Sequence, residues 1–389
     1  MNSQTIGLAL SGGGARAIAF HLGCLRALHD RGILERVNVI SGVSGGSVIA
    51  ALYAYNDESF EQFESHVRKV LSQGMVWGIA RETLISVETP KIAAAIVLAG
   101  TAGAVAQCLQ LMQSLLSLVK LQSTTLAKIS DRILDAVPRF ASRTTAFERY
   151  LARKYFKNRR MPDVQRKGLA VVLNATELRT GTAFRFGSLE SGCWRFGKLA
   201  HAPCVATAVA ASAAFPAFLP SLHSEFTFLK DGNETKHRVI ITDGGVYDNL
   251  GASCMLPGRS SEFSTNAFSV DFVIACDAGQ GIPSGARRPT FWASRMVATI
   301  LTIHRRTQTL TQSLLHRMAA NQEISGFVMP YLGQQDSALP APPPDLVRRE
   351  EVVDYPTNFN PMNQATIDTL STRGEQLTRC LLAAYAPDL

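Results

Sequence analysis

The chain has 389 residues, 46% apolar and 18% charged, and 39 Lys and Arg against 31 Asp and Glu give a formal net charge of +8. This excludes a disordered or collagen-like chain and provides for a sizeable core. The positive charge suits an anionic partner such as nucleic acid, an anionic bilayer surface or an acidic ligand, although many basic proteins have none.

Seven cysteines (Cys24, Cys108, Cys193, Cys204, Cys254, Cys276 and Cys380) are scattered without a C-x-x-C pair. That spacing speaks against a zinc site and a disulfide framework. Buried free thiols in a reducing, cytoplasmic setting are expected instead. No basic segment precedes the first apolar run, so no secretory signal is expected.

In chain order, Thr5 to Leu10 reads as a buried strand and Ser11-Gly12-Gly13-Gly14 as the turn after it. Ile18, Leu22, Leu25 and Leu28 recur at helical spacing, predicting a helix from about Ala15 to Asp30 that Gly32 closes. Val37 to Ile40 is a second strand, and Val48 to about Tyr55 a second helix. This β-α-β-α opening predicts a mainly parallel sheet covered by helices.

Residues 57–166 read as helical and poor in strand signals. Within them Ile92 to Val119 holds no charged residue. It reads as a buried hairpin of two helices broken near Gly100–Gly103, as a lid or lipid-contacting pair, or as a membrane span. Gln107, Gln110 and Gln113 recur every three residues, as a polar stripe on a packed helix would. Strand-like runs return at Leu169–Leu173, Val239–Thr242 and Phe272–Cys276. Ala206–Ala214 predicts a tightly packed helix. Arg287 to Met318 predicts a helix with a basic side at Arg305-Arg306, and Met362 to Ala384 a last one.

Between the second strand and helix stands Gly42-Val43-Ser44-Gly45-Gly46. A serine among glycines at a strand-to-helix turn is a nucleophile elbow, with Oγ exposed where helix amides favour negative charge. Two more turns follow apolar runs: Gly12-Gly13-Gly14-Ala15-Arg16 and Asp243-Gly244-Gly245. In a parallel sheet all three lie at the carboxyl edge, where open α/β sheets bind ligands. Acyl transfer needs a nucleophile, a base and an oxyanion site. Ser44, Asp243 and the amides of Gly12, Gly13 and Gly14 supply these types. Asp243 would need a raised pKa in a partly dry pocket. Arg16 is a loop-holding, phosphate-binding or surface arginine.

Rival readings stay open. The glycine loop also matches a dinucleotide fingerprint, but the second strand ends in Ile40-Ser41 without the acidic residue that motif wants. A Ser-His-Asp triad would use His304 or His316, both in a helical, polar-faced stretch. His21 lies on the first helix and is expected to pack there.

In this order and spacing, Gly12-Gly13-Gly14-x-Arg16, Gly42-x-Ser44-x-Gly46 and Asp243-Gly244-Gly245 resemble the oxyanion loop, nucleophile and base motifs of the patatin-like phospholipase family, bacterial type. Ala210-Ala211-Ser212-Ala213-Ala214-Phe215-Pro216 and Asn174-Ala175-Thr176-x-Leu178-x-Thr180-Gly181 are similar to further family segments. The resemblance covers roughly residues 5–280, and only loosely residues 57–165. Many relatives read Asn-x-Pro where Asn249-Leu250-Gly251 stands here.

The resemblance implies a three-layer α/β/α fold with a mainly parallel central sheet, forming a single catalytic domain over residues 1–389. Residues 57–166 would be a helical insertion and 281–389 a helical C-terminal extension packed on it. It also implies a Ser44–Asp243 dyad, with the amides of Gly12, Gly13, Gly14 and Gly45 at the oxyanion and Arg16 in support. Ester hydrolysis on glycerolipids would need no metal or cofactor. The partner would be a phospholipid bilayer surface, met peripherally at the inner membrane face, and no nucleic acid polymer is expected. A small-molecule or protein activator, oligomerisation and a latent, lipid-binding regulatory role are left open.

Overall fold

β1 (Ile6–Leu10) is apolar and buried on both faces, the state of a strand covered by helices on either side. The computed structural model places it within residues 4–118, 141–216, 218–260, 264–281 and 289–389, the residues it describes. α1 (Gly14–Asp30) follows, buried almost all round from Gly14 to Leu28, then β2 (Val37–Val43) and α2 (Gly45–Ala54). The expected helical region contains α3 (Phe60–Gln73), α4 (Val76–Leu84), α5 (Glu88–Leu118) and α6 (Arg143–Leu151). Ser59 starts α3 with a reciprocal capping box to Gln62.

β3 (Ala170–Glu177) opens the second half, followed by β4 (Thr182–Gly187), β5 (Ser191–Cys193), β6 (Gly197–Leu199) and α7 (Val205–Ser212). β7 (Leu222–Lys230) and β8 (Asn233–Asp243) form a hairpin through Asp231-Gly232, both at positive φ as a two-residue I′ turn requires. The short α8 (Gly245–Asp248), β9 (Phe272–Cys276), α9 (Trp292–Ala320), β10 (Gly326–Val328), α10 (Arg349–Val352) and α11 (Gln364–Tyr385) complete the order.

The strands form one ten-stranded sheet. β10, β9, β1, β2 and β3 pair in parallel. From β3 onward every pairing is antiparallel, and β8 returns to pair with β3. The sheet is therefore mixed rather than mainly parallel, because short hairpins and not helical crossovers connect β3 to β6 and β7 to β8.

Side chains alternate between two layers. Leu8, Leu10, Ile40, Leu173 and Ile274 join the core with α1, α2 and α11. Ala9, Val39, Val172, Val273 and Ala275 join a second core with Leu315 and Met318 of α9. This is the expected α/β/α layering, and its sheet positions the site. The edge of β3 matters most. Val43 at the end of β2 is in register with Asn174, and Asp243 at the end of β8 with Ala175. Two strands thus run head-on along one edge of β3, and their tips meet.

Two expectations are corrected. Residues 281–389 are not a purely helical extension: β10 belongs to the sheet, and α11 packs along α1. Ile92 to Leu118 is no broken hairpin but lies in the single helix α5, continuous through Gly100 and Gly103. Among its described side chains, Ile92 and Ala95 are packed, whereas Ile96, Val97, Leu98 and Val105 are exposed. Among the described residues no helix is long and apolar enough to cross a membrane. Gln107 is exposed. The side chains of Gln110 and Gln113, with Val119 and Arg287, lie outside the described set.

Arg373 on α11 is fully buried. Its guanidinium donates to the carbonyls of Leu332 (3.0 Å), Val347 (2.6 Å) and Gln334 (2.7 Å) and pairs with Asp336 at 2.9 Å. It ties the tail's loops to the helix that covers α1. Arg373→Ala is expected to lower unfolding stability by about 3 kcal/mol, because it strands buried acceptors. Arg373→Lys should recover only part of that, since a point ammonium cannot reach all three carbonyls. Urea denaturation of the three proteins checks both.

Candidate active site

Ser44 stands between β2 and α2 with φ 51° and ψ −117°. A non-glycine residue there costs of order 1–3 kcal/mol and persists only where its surroundings enforce it. The enforcement is visible. A side chain on Gly45 would run into the Gly14 carbonyl, so elbow and glycine loop touch backbone to backbone. Gly14 has φ 61°, and a Cβ on it would run into the Asn358 carbonyl. The Ser44 N–H donates to Ser212 Oγ at 3.0 Å.

Ser212 closes this network. Its hydroxyl donates to the Asn174 carbonyl at 2.5 Å and accepts from the Ser44 N–H, leaving a second lone pair for the Ser47 hydroxyl at 2.7 Å. Its own carbonyl accepts the Gly244 N–H at 3.3 Å, beside the Asp243 N–H to Ala214 carbonyl bond at 3.1 Å. One residue at the end of α7 thus joins the elbow to the Asp243 turn.

Asp243 is 2% exposed and Ser44 8%. Oδ1 of Asp243 accepts the Gly245 N–H at 2.7 Å. Burial pushes its pKa up, the Gly245 N–H and the Ser44 hydroxyl pull it back, and it settles at about 7. Ser44 is near enough to act on the carboxylate. Yet Oδ2 accepts no hydrogen bond of regular geometry among the described residues, as is common before substrate draws a catalytic pair together. Thr176 Oγ1 donates to the Asp243 carbonyl at 3.0 Å and fixes the strand end.

The expected oxyanion donors separate. The Gly12 N–H is committed to the Asn249 carbonyl at 3.1 Å, so Gly12 is not among the free donors. Among the described residues no hydrogen bond engages the N–H of Gly13, Gly14 or Gly45. These amides open α1 and α2, whose first turns carry no acidic residue to neutralise them. Two positive helix ends thus converge where negative charge would develop.

Arg16 is buried, donating to the carbonyls of Ala278 (3.1 Å) and Tyr355 (2.7 Å). Burial lowers its pKa to about 10 against the nearby Asp277. Of the roles open to it, it holds the loop. The Ala15 N–H donates to the Asn358 carbonyl at 2.7 Å, so the C-terminal segment clamps the same loop twice.

In the Asn249-Leu250-Gly251 turn, Asp248 Oδ1 accepts the N–H of Leu250 and of Gly251, both at 3.1 Å. A proline at 251 could not make the second bond. His304 on α9 packs against Gly245, and burial lowers its pKa. It therefore lies beside the Asp243 turn, while His316 stands edge-on to Phe327. His21 packs within α1's core, as expected. No local spacing marks Ser212 as a bridge or Tyr355 and Asn358 as clamps. The small-residue run ending in Phe215-Pro216 was the available signal for the first.

A family model described as patatin-like phospholipase matches residues 8–254, which include all three motifs. The chain is 40% identical over 79 residues to Lysophospholipase NTE1 of Mycosarcoma maydis, covering 20% of this chain and 4% of that protein. It is 50% identical over 54 residues to Lysophospholipase NTE1 of Saccharomyces cerevisiae, covering 14% and 3%. These matches span only a small part of the curated relatives. Human GIVD cytosolic phospholipase A2 superposes with a TM-score of 0.51 at 11% identity, covering 98% of this chain and 61% of that one, a likeness of fold alone.

Three outcomes follow from this geometry. Hydrolysis that needs ionised Asp243 should fall as pH drops through about 7, read from a pH–rate profile. Its raised pKa means that Asp243 favours the native state below its unfolded pKa and loses that contribution as pH rises through about 7. Asp243→Asn should therefore gain stability relative to the wild type at pH 8, by up to roughly 4 kcal/mol. Denaturation at pH 5 and pH 8 checks the sign. Ser212→Ala should lower kcat roughly tenfold or more, because it releases the Ser44 N–H. Steady-state kinetics on a soluble ester reads it.

Proposed function

Since the chain belongs to the patatin-like phospholipase family, we propose that it is a serine acyl hydrolase cleaving fatty acids from membrane phospholipids through a Ser44–Asp243 dyad. The observation that carries this is a buried carboxylate, raised to about 7, beside a serine held at a strained elbow. Ser44 Oγ attacks the ester carbonyl carbon while Asp243 takes its proton. The amides of Gly13, Gly14 and Gly45 receive the oxyanion, each worth roughly 3 kcal/mol. Collapse expels the lipid alcohol, which takes back the proton, and leaves the acyl chain on Ser44. Asp243 then deprotonates a water that frees the fatty acid.

A bilayer surface is the proposed partner, met peripherally from the cytoplasmic side. Supporting this are Trp77 (74% exposed), Ile85 (81%), Phe291 and Trp292 (72%), with the exposed Ile96, Val97 and Leu98 on the uncharged stretch of α5 and the net positive charge. All seven cysteines are free, which suits a reducing compartment.

A second reading is supported by the small exposure of Ser44 and Asp243. A site this closed fits a latent hydrolase that a messenger or partner opens.

The test is mass spectrometry of phospholipid vesicles incubated with wild type, Ser44→Ala and Asp243→Asn. Free fatty acid and lysolipid from the wild type alone, with both variants down by at least roughly a thousandfold, is the expected result. Equal release from all three overturns the dyad. If the wild type is silent, a fluorophosphonate probe separates the readings: labelling at Ser44 means a competent but closed enzyme.

A further inference from the structure

Behind the glycine loop, away from the ester-cleaving groups, three metal-ligating side chains meet in the core. His21 and Cys24 lie one turn apart on α1, and Cys276 ends β9. Their ligand atoms lie within 4.8 Å of one another, and all three residues are fully buried. Sequence spacing hides the group, because the second thiol arrives on a distant strand.

The histidine is prepared for more than packing. Its Nε2 lies 2.9 Å from the Ser11 carbonyl, a contact that requires the proton on Nε2. Nδ1 then carries a bare lone pair, and it is buried without a hydrogen-bond partner among the described residues. An orphaned buried nitrogen is costly. One ring nitrogen donating to a carbonyl and the other left bare is the arrangement of metal-bound histidines.

The thiols are equally under-used. The Cys24 Sγ donates to the Gly374 carbonyl at a long 3.6 Å. Cys24 Sγ and Cys276 Sγ lie within 4.8 Å of each other and of the His21 ligand nitrogen, and a metal would take both as thiolates. The neighbouring Asp277 is not a spare ligand. Its Oδ1 takes the Gly279 N–H at 2.8 Å and its Oδ2 takes Gln308 and Gln312.

Two sulfurs and one imidazole exclude the hard cations, which take oxygen. We propose that His21 Nδ1, Cys24 Sγ and Cys276 Sγ bind one thiophilic d10 cation, Cu(I) or Zn(II), which ties α1 to the end of β9. With both sulfurs bound as thiolates, Zn(II) leaves no net charge in the core and Cu(I) leaves one negative charge, and two protons are released in either case. The site also reaches the start of the glycine loop, since the Ser11 carbonyl takes the His21 N–H and the Ser11 N–H donates to the Cys276 carbonyl at 3.1 Å.

The experiment uses the full, reduced chain with the exposed Cys108 replaced (Cys108→Ala). It is titrated without oxygen with Cu(I), and separately with Zn(II), against a chromophoric chelator. One equivalent of one ion should be withheld from the chelator, and Cys24→Ala and Cys276→Ala should each weaken binding by roughly a hundredfold or more. X-ray absorption of the loaded protein should read two sulfurs and one nitrogen, which needs no core variant to fold. Failure to withhold either ion, unchanged affinity in both variants, or a donor set without two sulfurs overturns the proposal. None of these outcomes depends on turnover, so it stands or falls apart from the dyad.

Discussion

The site depends on how one strand edge is divided. β3 offers its edge to β2 up to Asn174 and to β8 from Ala175 onward. Backbone hydrogen bonding fixes each strand in register, and a slip of one residue would turn either tip to the wrong face. Ser44 follows the tip of one strand, and Asp243 is the tip of the other. Their proximity is therefore a property of the sheet rather than of flexible side chains. The antiparallel half matters for the same reason, since only a strand running against β3 can point its end at the end of β2.

Around this junction the fold concentrates opposed electrostatic demands. Burial disfavours a charge on Asp243, while two helix ends and unengaged amides favour an anion nearby. The acid is held protonatable and the region next to it is primed for negative charge. In the proposed reaction the substrate enters as a neutral ester, and the charge it develops would fall where the amides stand. Ser212, with one donor and two acceptor positions all engaged, keeps both halves of the junction in step.

Much of this was legible in the residues. Apolar runs ending in glycine-rich turns marked β1, β2, the end of β8 and all three motifs, because a buried strand and a tight turn leave local signatures. β4 to β7 were missed. Their alternation is broken by charged and small residues, and β5 and β6 are three residues each. The Asp231-Gly232 dipeptide was the one strong hairpin signal there. Glycines at 100 and 103 disfavour a helix locally and suggest a break, yet α5 is continuous through both. The loss of Gly12 as a donor, the Ser212 bridge and the His21–Cys24–Cys276 group all rest on contacts between distant segments. No spacing rule along the chain encodes these.

The clamp from Tyr355 and Asn358 onto Arg16 and Ala15 has a consequence in time. A chain leaving the ribosome presents Ser44 early, and Asp243 well before the clamping residues exist. Until synthesis passes Asn358, the glycine loop lacks the two carbonyls that hold it. On the proposed reading, a nascent polypeptide would own its nucleophile and base before the loop meant for the oxyanion is held in place. Order of synthesis thus becomes part of how the site is put together.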